Sequence, residues 1–312
     1  MGKFVPDRMI HIIDIEVFKH LWLCVILCLD TMCMKVIVNK AEELKDYYYE
    51  HSTDIFVGFN INGYDQFIMR DIIISALNPE HKANPKDLSD WIISGNKGWT
   101  YVDGSAKPGC DIPNELWKIH LNIYDVQSSF SRDTSLKQIE GYRGISIEET
   151  DVDFNIDREL TDEEIRRTVK YCKHDVEATA WIFLKKKVYE DFMSQFQLAS
   201  KYCSSKFDKA IRATKPILIA MVLGAEKKEF DDGWDFVYPK EILRLGKYAF
   251  VEKFFKYIKD NHIESELTIV IGSAEMKFAL GGLHASCRNF FCKEGKFLIF
   301  DVSSYYPSIM LR

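Results

Sequence analysis

The sequence MIHIIDIEV, at Met9–Val17, sets the architecture expected of this chain. Most of its residues are β-branched or apolar and its acids come near the end, which is the pattern of a buried strand. Asp14 and Glu16 lie two residues apart, so strand alternation puts both side chains on one face. Two carboxylates that lose hydration there repel each other, and a Mg²⁺ ion compensates well because it takes oxygen ligands. A plain strand end with both acids in water fits this short pattern equally well.

The segments that follow this strand alternate between strand and helix patterns. Leu21–Asp30 and Thr31–Asn39 read as two tightly joined strands, Ala41–Glu50 has helical composition, and Asp54–Asn60 reads as a fourth strand. Gly63–Leu77 carries the apolar stripe of a helix. The order strand, strand, strand, helix, strand, helix predicts an α/β fold around a mixed sheet.

The rest of the chain begins with a proline-containing stretch. Residues 79–115 hold four prolines and are predicted to be a loop or insertion. Leu121–Val126 predicts a fifth strand, and a helix is expected from about Thr134 to Glu140. Thr161 with Glu164 forms a capping box that starts a further helix. Helical composition then continues with breaks, and two strands are predicted near the end, around Leu283–Phe291 and Lys296–Ser303.

Composition and charge narrow the class of protein. With 47% hydrophobic and 28% charged residues, the chain has the composition of a soluble globular protein, and no apolar run is long enough to span a membrane. The eight cysteines form no CxxC pair, and the N-terminus shows no export signal. We therefore expect a cytoplasmic protein with no membrane partner. At a net charge of −6, any contact with nucleic acid needs a local groove, and the run Lys185–Lys187 is interpreted as a solvated helix face.

Two further motifs place acids and tyrosines after the first strand. In GFNINGYD, which ends at Asp65, an apolar strand feeds an Asn/Gly turn, and the helix dipole by itself favours an Asp at the start of the next helix. In YCKHD, Tyr171 and Asp175 share a helix face because they are four residues apart, while His174 points elsewhere. A partly buried tyrosine with an exposed acid also explains this second motif when it is taken alone.

Together the three motifs resemble, in order, the exonuclease motifs of family B DNA polymerases. The matching residues are Asp14 and Glu16, then Asn60, Tyr64 and Asp65, then Tyr171 and Asp175. The resemblance implies a ribonuclease H-like fold and a 3′→5′ proofreading exonuclease of the tyrosine type, with two Mg²⁺ or Mn²⁺ ions. It implies that Asp14, Glu16 and Asp175 share one metal. It also implies that Asp14 bridges to the second metal near Asp65 and that Tyr171 orients the attacking water.

A fourth element concerns the DNA substrate. The sequence SLKQI, from Ser135 to Ile139, resembles the S/T-Leu-x-x-hydrophobic element of protein-primed phage polymerases. By that resemblance Ser135 and Leu136, together with Asn60 and Tyr64, hold the single-stranded 3′ end of DNA. Stacking of a terminal base on an aromatic side chain is tolerant of sequence, as proofreading requires.

The sequence DVSSYYPSI, which begins at Asp301, resembles polymerase motif A of family B. The resemblance implies that Asp301 binds the nucleotide-site metals and that Tyr306 screens the sugar 2′ position. The lysine-bearing motif B and the acidic motif C have no place before Arg312. We therefore expect that this chain alone does not extend a primer and that it uses dNTP only together with a C-terminal part.

These resemblances predict two domains and one leading function. Residues 1–195 are expected to form the ribonuclease H-like exonuclease domain, and residues 196–312 the linker helices and the start of a polymerase palm domain, truncated after motif A. The predicted protein is the N-terminal part of a phage or viral DNA-directed DNA polymerase, acting on single-stranded 3′ ends and primer-template DNA in the host cytoplasm. Two alternatives stay open: a non-catalytic split-polymerase half that needs a C-terminal partner, and a stand-alone nuclease with the same four acids and tyrosine.

Overall fold

The computed structural model divides the chain into two compact units, Met1–Glu226 and Lys227–Arg312. The residues it describes are 7–98, 119–131, 134–144, 146–226, 234, 249–279, 282–287, 290–296 and 298. The predicted motif A, with Asp301 and Tyr306, lies outside the described residues, and the predicted domain division at residue 195 stays a prediction. Within the described part of the chain, no helix has the length and apolar character needed to cross a membrane.

A five-stranded mixed sheet forms the centre of the first unit. Its strands are β1 (Ile10–Val17), β2 (Trp22–Cys28), β3 (Met34–Val38), β4 (Ile55–Gly58) and β5 (Ile123–Asp125). Their spatial order is β3-β2-β1-β4-β5, in which β2 is antiparallel to β1 and β3 while β1, β4 and β5 are parallel. The predicted α/β fold with a mixed sheet is confirmed. The carboxyl ends of the three parallel strands lie at one edge, which is where open α/β sheets bind ligands.

Eight helices are described in the first unit, and they cover both faces of the sheet. They are α1 (Ala41–Glu50), α2 (Asp65–Leu77), α3 (Pro85–Ile93), α4 (Leu136–Arg143), α5 (Asp162–Phe183), α6 (Lys186–Tyr202), α7 (Phe207–Ile211) and α8 (Lys215–Val222). One apolar layer joins Ile13 of β1 to residues of α1 and α2, and the other joins Ile12 to residues of α5 and α6. Alternation along β1 therefore places Asp14 and Glu16 on the α5 face.

The loop or insertion predicted for residues 79–115 is wrong in part, because Pro85–Ile93 forms α3. Proline is tolerated at the first helical position, where its missing N–H is one that the helix leaves unpaired anyway. The side chain of Asn84 caps the helix by accepting a hydrogen bond from the backbone N–H of Asp87 at 3.3 Å. Leu88 is fully buried in the layer that contains α2 and anchors α3 there.

The second unit contains α9 (Ala249–Asn261) and a three-stranded antiparallel sheet of β6 (Leu267–Ile271), β7 (Ala274–Ala279) and β8 (Gly282–Cys287). Of the predicted strand Leu283–Phe291, Leu283–Cys287 belong to β8, and Phe290 and Phe291 lie outside any strand. The sequence analysis did not select β6 and β7, although Glu275 and Lys277 alternate with apolar residues in β7. The last predicted strand, Lys296–Ser303, lies mostly outside the described residues.

The capping box predicted at Thr161 is confirmed and fixes the start of the longest described helix. The Thr161 hydroxyl oxygen accepts a hydrogen bond from the N–H of Glu164 at 3.3 Å, and the Glu164 carboxylate accepts from the N–H of Thr161 at 2.8 Å. This helix, α5, carries both Tyr171 and Asp175. Its start therefore sets where these two side chains meet β1.

We expect Gly58→Ala to lower the free energy of unfolding by about 1–3 kcal/mol, because overpacking forces neighbours to move. A Cβ at Gly58 would lie 2.8 Å from Cβ of Ile61 and 3.2 Å from the carbonyl oxygen of Ile13. Gly141→Ala on α4 is the matched control, since its added Cβ would lie 3.5 Å from Cδ1 of Ile147 and alanine favours a helix. Urea unfolding measures both variants, and equal effects would contradict the close packing of β4 against β1.

Candidate active site

A cavity of about 280 Å³ lies at the carboxyl end of β1. It is lined by all seven residues whose motifs in the sequence resemble exonuclease motifs. Three separate parts of the chain supply them: the end of β1, the β4–α2 turn and the middle of α5. The structure thus brings all three exonuclease motifs to one place. The seven residues are Asp14, Glu16, Asn60, Tyr64, Asp65, Tyr171 and Asp175.

Asp14 and Glu16 face α5 from β1, as the alternation predicts. The thiol of Cys172 donates a hydrogen bond to Oδ2 of Asp14 at 3.2 Å. Cys172 is fully buried, and burial raises the pKa of its thiol, so the sulfur keeps its proton and acts as a donor. The sequence analysis missed this contact, because a lone cysteine inside an amphipathic helix looks like any small core residue.

Asp65 begins α2 and also bonds to β1. Its Oδ1 accepts a hydrogen bond from the backbone N–H of Ile15 at 3.2 Å. Ile15 is the residue between Asp14 and Glu16, so this bond fixes Asp65 beside the pair. Asp65 is only 3% exposed. An acid that only interacts favourably with the helix dipole can remain in water, so the dipole does not explain why Asp65 is buried.

The turn between β4 and α2 is held by an acid that the sequence analysis did not select. Asn60 has a positive φ of 62°, a conformation that asparagine tolerates better than most residues. The carboxylate of Asp125, at the end of β5, accepts hydrogen bonds from the N–H of Asn60 at 2.9 Å and of Asn62 at 3.0 Å. Its position near the end of a predicted strand was the one available signal for this role.

Helix α3 also contributes to the cavity. Ser89 on α3 shares a hydrogen bond of 2.7 Å between its Oγ and the hydroxyl oxygen of Tyr64. Lys86, Ser89 and Ile93 line the cavity with Phe59 and Phe154. The incorrect loop prediction for this region concealed these residues, since their placement follows from the helix.

Lys137 brings a positive charge to the acidic cluster. Its Nζ forms an ion pair with the carboxylate of Asp175, lies 3.5 Å from Oε2 of Glu140, and is 4.9 Å from the ring centre of Tyr171. Glu140 is fully buried, and its Oε1 is 3.1 Å from Nε2 of His174. Lys137 occupies an unspecified position of the S-L-x-x-I element, so nothing in that pattern selected it.

Ser135 and Leu136 are placed differently from the other residues selected for DNA contact. Ser135 caps α4, where its hydroxyl accepts from the N–H of Gln138 at 3.2 Å, and Leu136 packs against the hydrophobic core. Neither is among the described residues that line the acidic cavity. Their role at the 3′ end of DNA stays a prediction.

Three of the carboxylic acids that line the cavity have raised pKa values, because burial and neighbouring negative charges disfavour their charged forms. Burial, followed by the charge of Asp175, raises the pKa of Asp14 to about 7. Burial and then the charge of Asp14 raise the pKa values of Glu16 and Asp65 well above the usual range. Lys137 lowers the pKa values of Asp14 and Glu16, but it is not the largest influence on either.

Two acids of this donor set suit a divalent cation. Asp14 and Glu16 offer ligand atoms within 4.8 Å of each other, whereas Asp175 belongs to a separate group with Glu140 and His174. Carboxylate oxygens are the ligands that Mg²⁺ and Mn²⁺ take, and such an ion relieves the repulsion that raises these pKa values. Asp14 and Glu16 therefore fit such an ion, and a site shared with Asp65 and Asp175 stays a prediction.

Tyr171 is suited to donate a hydrogen bond beside this set. Burial, followed by the charges of Asp175 and Glu16, raises the pKa of its hydroxyl far above the usual value. The phenol therefore keeps its proton at neutral pH.

Comparison with known proteins gives only weak structural likeness. No family model and no curated protein matches this chain. Among solved structures, one match is to Phi29 DNA polymerase complexed with primer-template DNA, with a TM-score of 0.35 and 14% sequence identity. The match covers 64% of this chain and 36% of that polymerase, so this chain spans about a third of its length.

We expect Asp14→Asn to stabilise the metal-free protein by about 1–3 kcal/mol at pH 7.5, allowing for partial exposure of the side chain. Asp14 has a pKa of about 7 when folded and 3.8 as a free side chain, so the folded state holds a proton that the unfolded chain releases. The stability that Asp14 contributes by holding this proton in the folded state is lost as the pH rises from about 4 to about 7. Thermal unfolding in EDTA across this range measures the change.

Asp46→Asn is the control for that experiment, because Asp46 is an exposed acid on α1. It should leave both stability and its pH dependence unchanged. Added Mg²⁺ should raise the melting temperature of wild type and of Asp46→Asn more than that of Asp14→Asn. A loss of stability in Asp14→Asn at pH 7.5 would contradict the proposed repulsion.

We expect Lys137→Met to lower the free energy of unfolding of the metal-free protein by about 2–4 kcal/mol. The substitution removes the Lys137 ammonium group, which pairs with Asp175 and with the buried Glu140. Adding Glu140→Gln should restore part of this loss. A double-mutant cycle by urea unfolding measures the coupling between the two side chains. Additive effects would show that the Lys137–Glu140 contact is energetically unimportant.

Proposed function

We propose that this chain is a metal-dependent 3′→5′ DNA exonuclease on a ribonuclease H-like fold. We further propose that it is the N-terminal, proofreading part of a phage or viral family B DNA polymerase. One observation carries the first proposal: four acids and a tyrosine from three distant motifs line a single cavity. The five-stranded mixed sheet supports the proposed fold.

In this proposal Asp14, Glu16, Asp65 and Asp175 hold two Mg²⁺ or Mn²⁺ ions. Bound there, the ions supply a lowered pKa for the attacking water and a stabilised leaving oxygen in phosphodiester hydrolysis. Tyr171 orients that water by donating a hydrogen bond from its neutral hydroxyl. Lys137 positions Asp175 through their ion pair.

The substrate is the single-stranded 3′ end of DNA. Asn60 and Tyr64 line the cavity and are proposed to hold the terminal nucleotide, with Ser135 and Leu136 following from the resemblance alone. Phe59 and Phe154 also line the cavity and offer aromatic faces for a base, which makes recognition independent of sequence.

The resemblance to motif A adds a proposal about polymerisation. Asp301 would bind the metals of the nucleotide site, and Tyr306 would screen the sugar 2′ position. Both roles follow from the resemblance alone, since these residues lie outside the part of the chain that the structure describes.

One observation favours the alternative of a split-polymerase half that needs a partner. Large apolar side chains of the second unit are strongly exposed: Leu283 (53%), Phe290 (69%), Phe291 (78%) and Leu298 (77%). Scattered apolar residues are normal on surfaces, whereas a contiguous apolar patch marks an interaction site, so this alternative requires that these side chains form one patch. In this reading a C-terminal polymerase half covers them and restores polymerisation.

We expect the chain to shorten a 5′-labelled single-stranded oligonucleotide from its 3′ end in Mg²⁺ or Mn²⁺. The variant Asp14→Asn/Glu16→Gln should lose at least about a thousandfold of this rate, since metal catalysis supplies several kcal/mol. The control variant Asp46→Asn/Glu42→Gln removes the same charge from exposed positions of α1 and should be fully active. Gel analysis of the ladder measures the rates.

The opposite result has a definite meaning. A folded wild-type protein that leaves the oligonucleotide intact with either metal would contradict the exonuclease and favour the split half. A ladder that persists in the Asp14→Asn/Glu16→Gln variant would place the activity elsewhere.

A further inference from the structure

A second cavity of the first unit, of about 360 Å³, is strongly cationic. Its charged lining residues are Arg143, Lys185, Lys187, Lys215 and the single acid Asp191. Lys215 pairs with Asp191 at 2.7 Å, so the positive charges still exceed the negative ones. We call this cavity the basic groove. A net positive groove stands out on a chain whose total charge is −6, because local charge rather than total charge attracts a polyanion.

Three elements connect the basic groove with the acidic cavity. Helix α5 lines the acidic cavity with Asp175 and the groove with Trp181. Helix α4 reaches Asp175 with Lys137 and lines the groove with Arg143. The end of β5 is the third element. The side-chain carboxylate of Asp125 accepts a hydrogen bond from the backbone N–H of Asn60, which lines the acidic cavity. The backbone carbonyl oxygen of Asp125 accepts a hydrogen bond of 2.6 Å from the hydroxyl of Ser128, which lines the groove.

The distance along α5 sets the shortest strand that could reach both cavities. Asp175 and Trp181 are six residues apart on α5, which corresponds to about 9 Å along the helix axis and about 120° around it. Phosphates of one strand follow each other at ~3.4 Å or more. A strand whose 3′ end lies at Asp175 therefore needs more than about 9 Å of backbone, or several nucleotides, to reach the groove.

We propose that the basic groove binds the single-stranded DNA segment just upstream of the 3′ terminus that lies in the acidic cavity. This inference rests on the proposed function and adds the track that the strand follows. The cationic side chains contact its phosphates. Trp181, which is 37% exposed with Nζ of Lys185 at 3.2 Å from its ring centre, and Phe130 provide aromatic surface beside them. Cations next to aromatic side chains are the combination that binds single strands without sequence preference.

The groove also revises the interpretation of one charge run. The sequence favoured a solvated helix face for Lys185–Lys187, and Lys186 and Lys187 are exposed as that prediction requires, while Lys185 and Lys187 also line the groove. Lys186 is not among the described lining residues, and its side chain is 88% exposed. The run thus contains two lysines for the test and one neighbour that serves as a control.

The test is binding of 5′-fluorescein-labelled (dT)12 in EDTA, measured by fluorescence anisotropy over a range of salt concentrations. We expect Lys185→Ala/Lys187→Ala to weaken binding about tenfold. The slope of log affinity against log salt should fall by about 1.4, at roughly 0.7 for each lost phosphate contact. Lys186→Ala/Lys201→Ala removes the same charge from exposed positions of α6 and should bind like wild type. Circular dichroism and thermal unfolding check that both double variants fold.

Each outcome decides the proposal. Selective weakening in Lys185→Ala/Lys187→Ala supports the groove, and a Trp181→Phe variant should then lose the part of the fluorescence quenching by (dT)12 that comes from this one of six tryptophans. Equal affinities of the two double variants would overturn it, whether both match wild type or both fall together.

Hydrolysis of the p-nitrophenyl ester of thymidine 5′-phosphate separates this inference from the proposed function. The ester is too short to reach the groove, so it reports on the acidic cavity alone. Hydrolysis by wild type and by Lys185→Ala/Lys187→Ala at equal rates, with equal affinity for (dT)12, would refute the groove and leave the exonuclease standing. Selective loss of (dT)12 binding without ester hydrolysis by any variant would support a DNA groove and contradict the exonuclease.

Discussion

Repulsion among carboxylates at the end of β1 is the constraint on which the rest of the site depends. Asp14 and Glu16 lie on one face of a buried strand, and Asp65 and Asp175 are brought to the same cavity. Burial makes each negative charge there unfavourable, as the raised pKa of Asp14 shows. Such an arrangement persists only because the surrounding structure imposes it. The sheet, the β4–α2 turn and α5 provide that rigidity.

Much of the frame follows from local sequence patterns, because it depends on neighbours along the chain. The apolar alternation of β1, the composition of α1 and the capping box at Thr161 each determine a structure within a few residues. The three exonuclease motifs could be placed for the same reason, since each is short and lies at the end or start of an element. The incorrect loop prediction at α3 has a local cause too, because Pro85 reads as a helix breaker although proline is compatible with the first turn of a helix.

The supporting residues of the site could not be predicted in this way. Asp125 holds a turn 65 residues earlier in the chain, and Cys172 bonds to an acid 158 residues away. Lys137 reaches Asp175 across 38 residues. Each contact depends on how helices and strands pack in space, and apart from the place of Asp125 at a strand end the sequence carries no pattern for it. The residues of the proposed catalytic set were therefore visible in the sequence, whereas most of those that position them were not.

The acidic total charge and the proposed DNA substrate agree once charge is considered locally. Four acids are concentrated in one cavity, where bound cations would neutralise them, and cationic side chains are concentrated in a groove joined to it by α4 and α5. The electrostatic field at a surface depends mainly on nearby charges, because salt screens exposed charges beyond about 10 Å. A polyanionic strand close to the groove is therefore attracted by the lysines of the groove, and the net negative charge of the whole chain has little effect on it. If the proposed function holds, cations bound in the acidic cavity would lower the repulsion that a phosphate meets there, so cation binding and strand binding would reinforce each other.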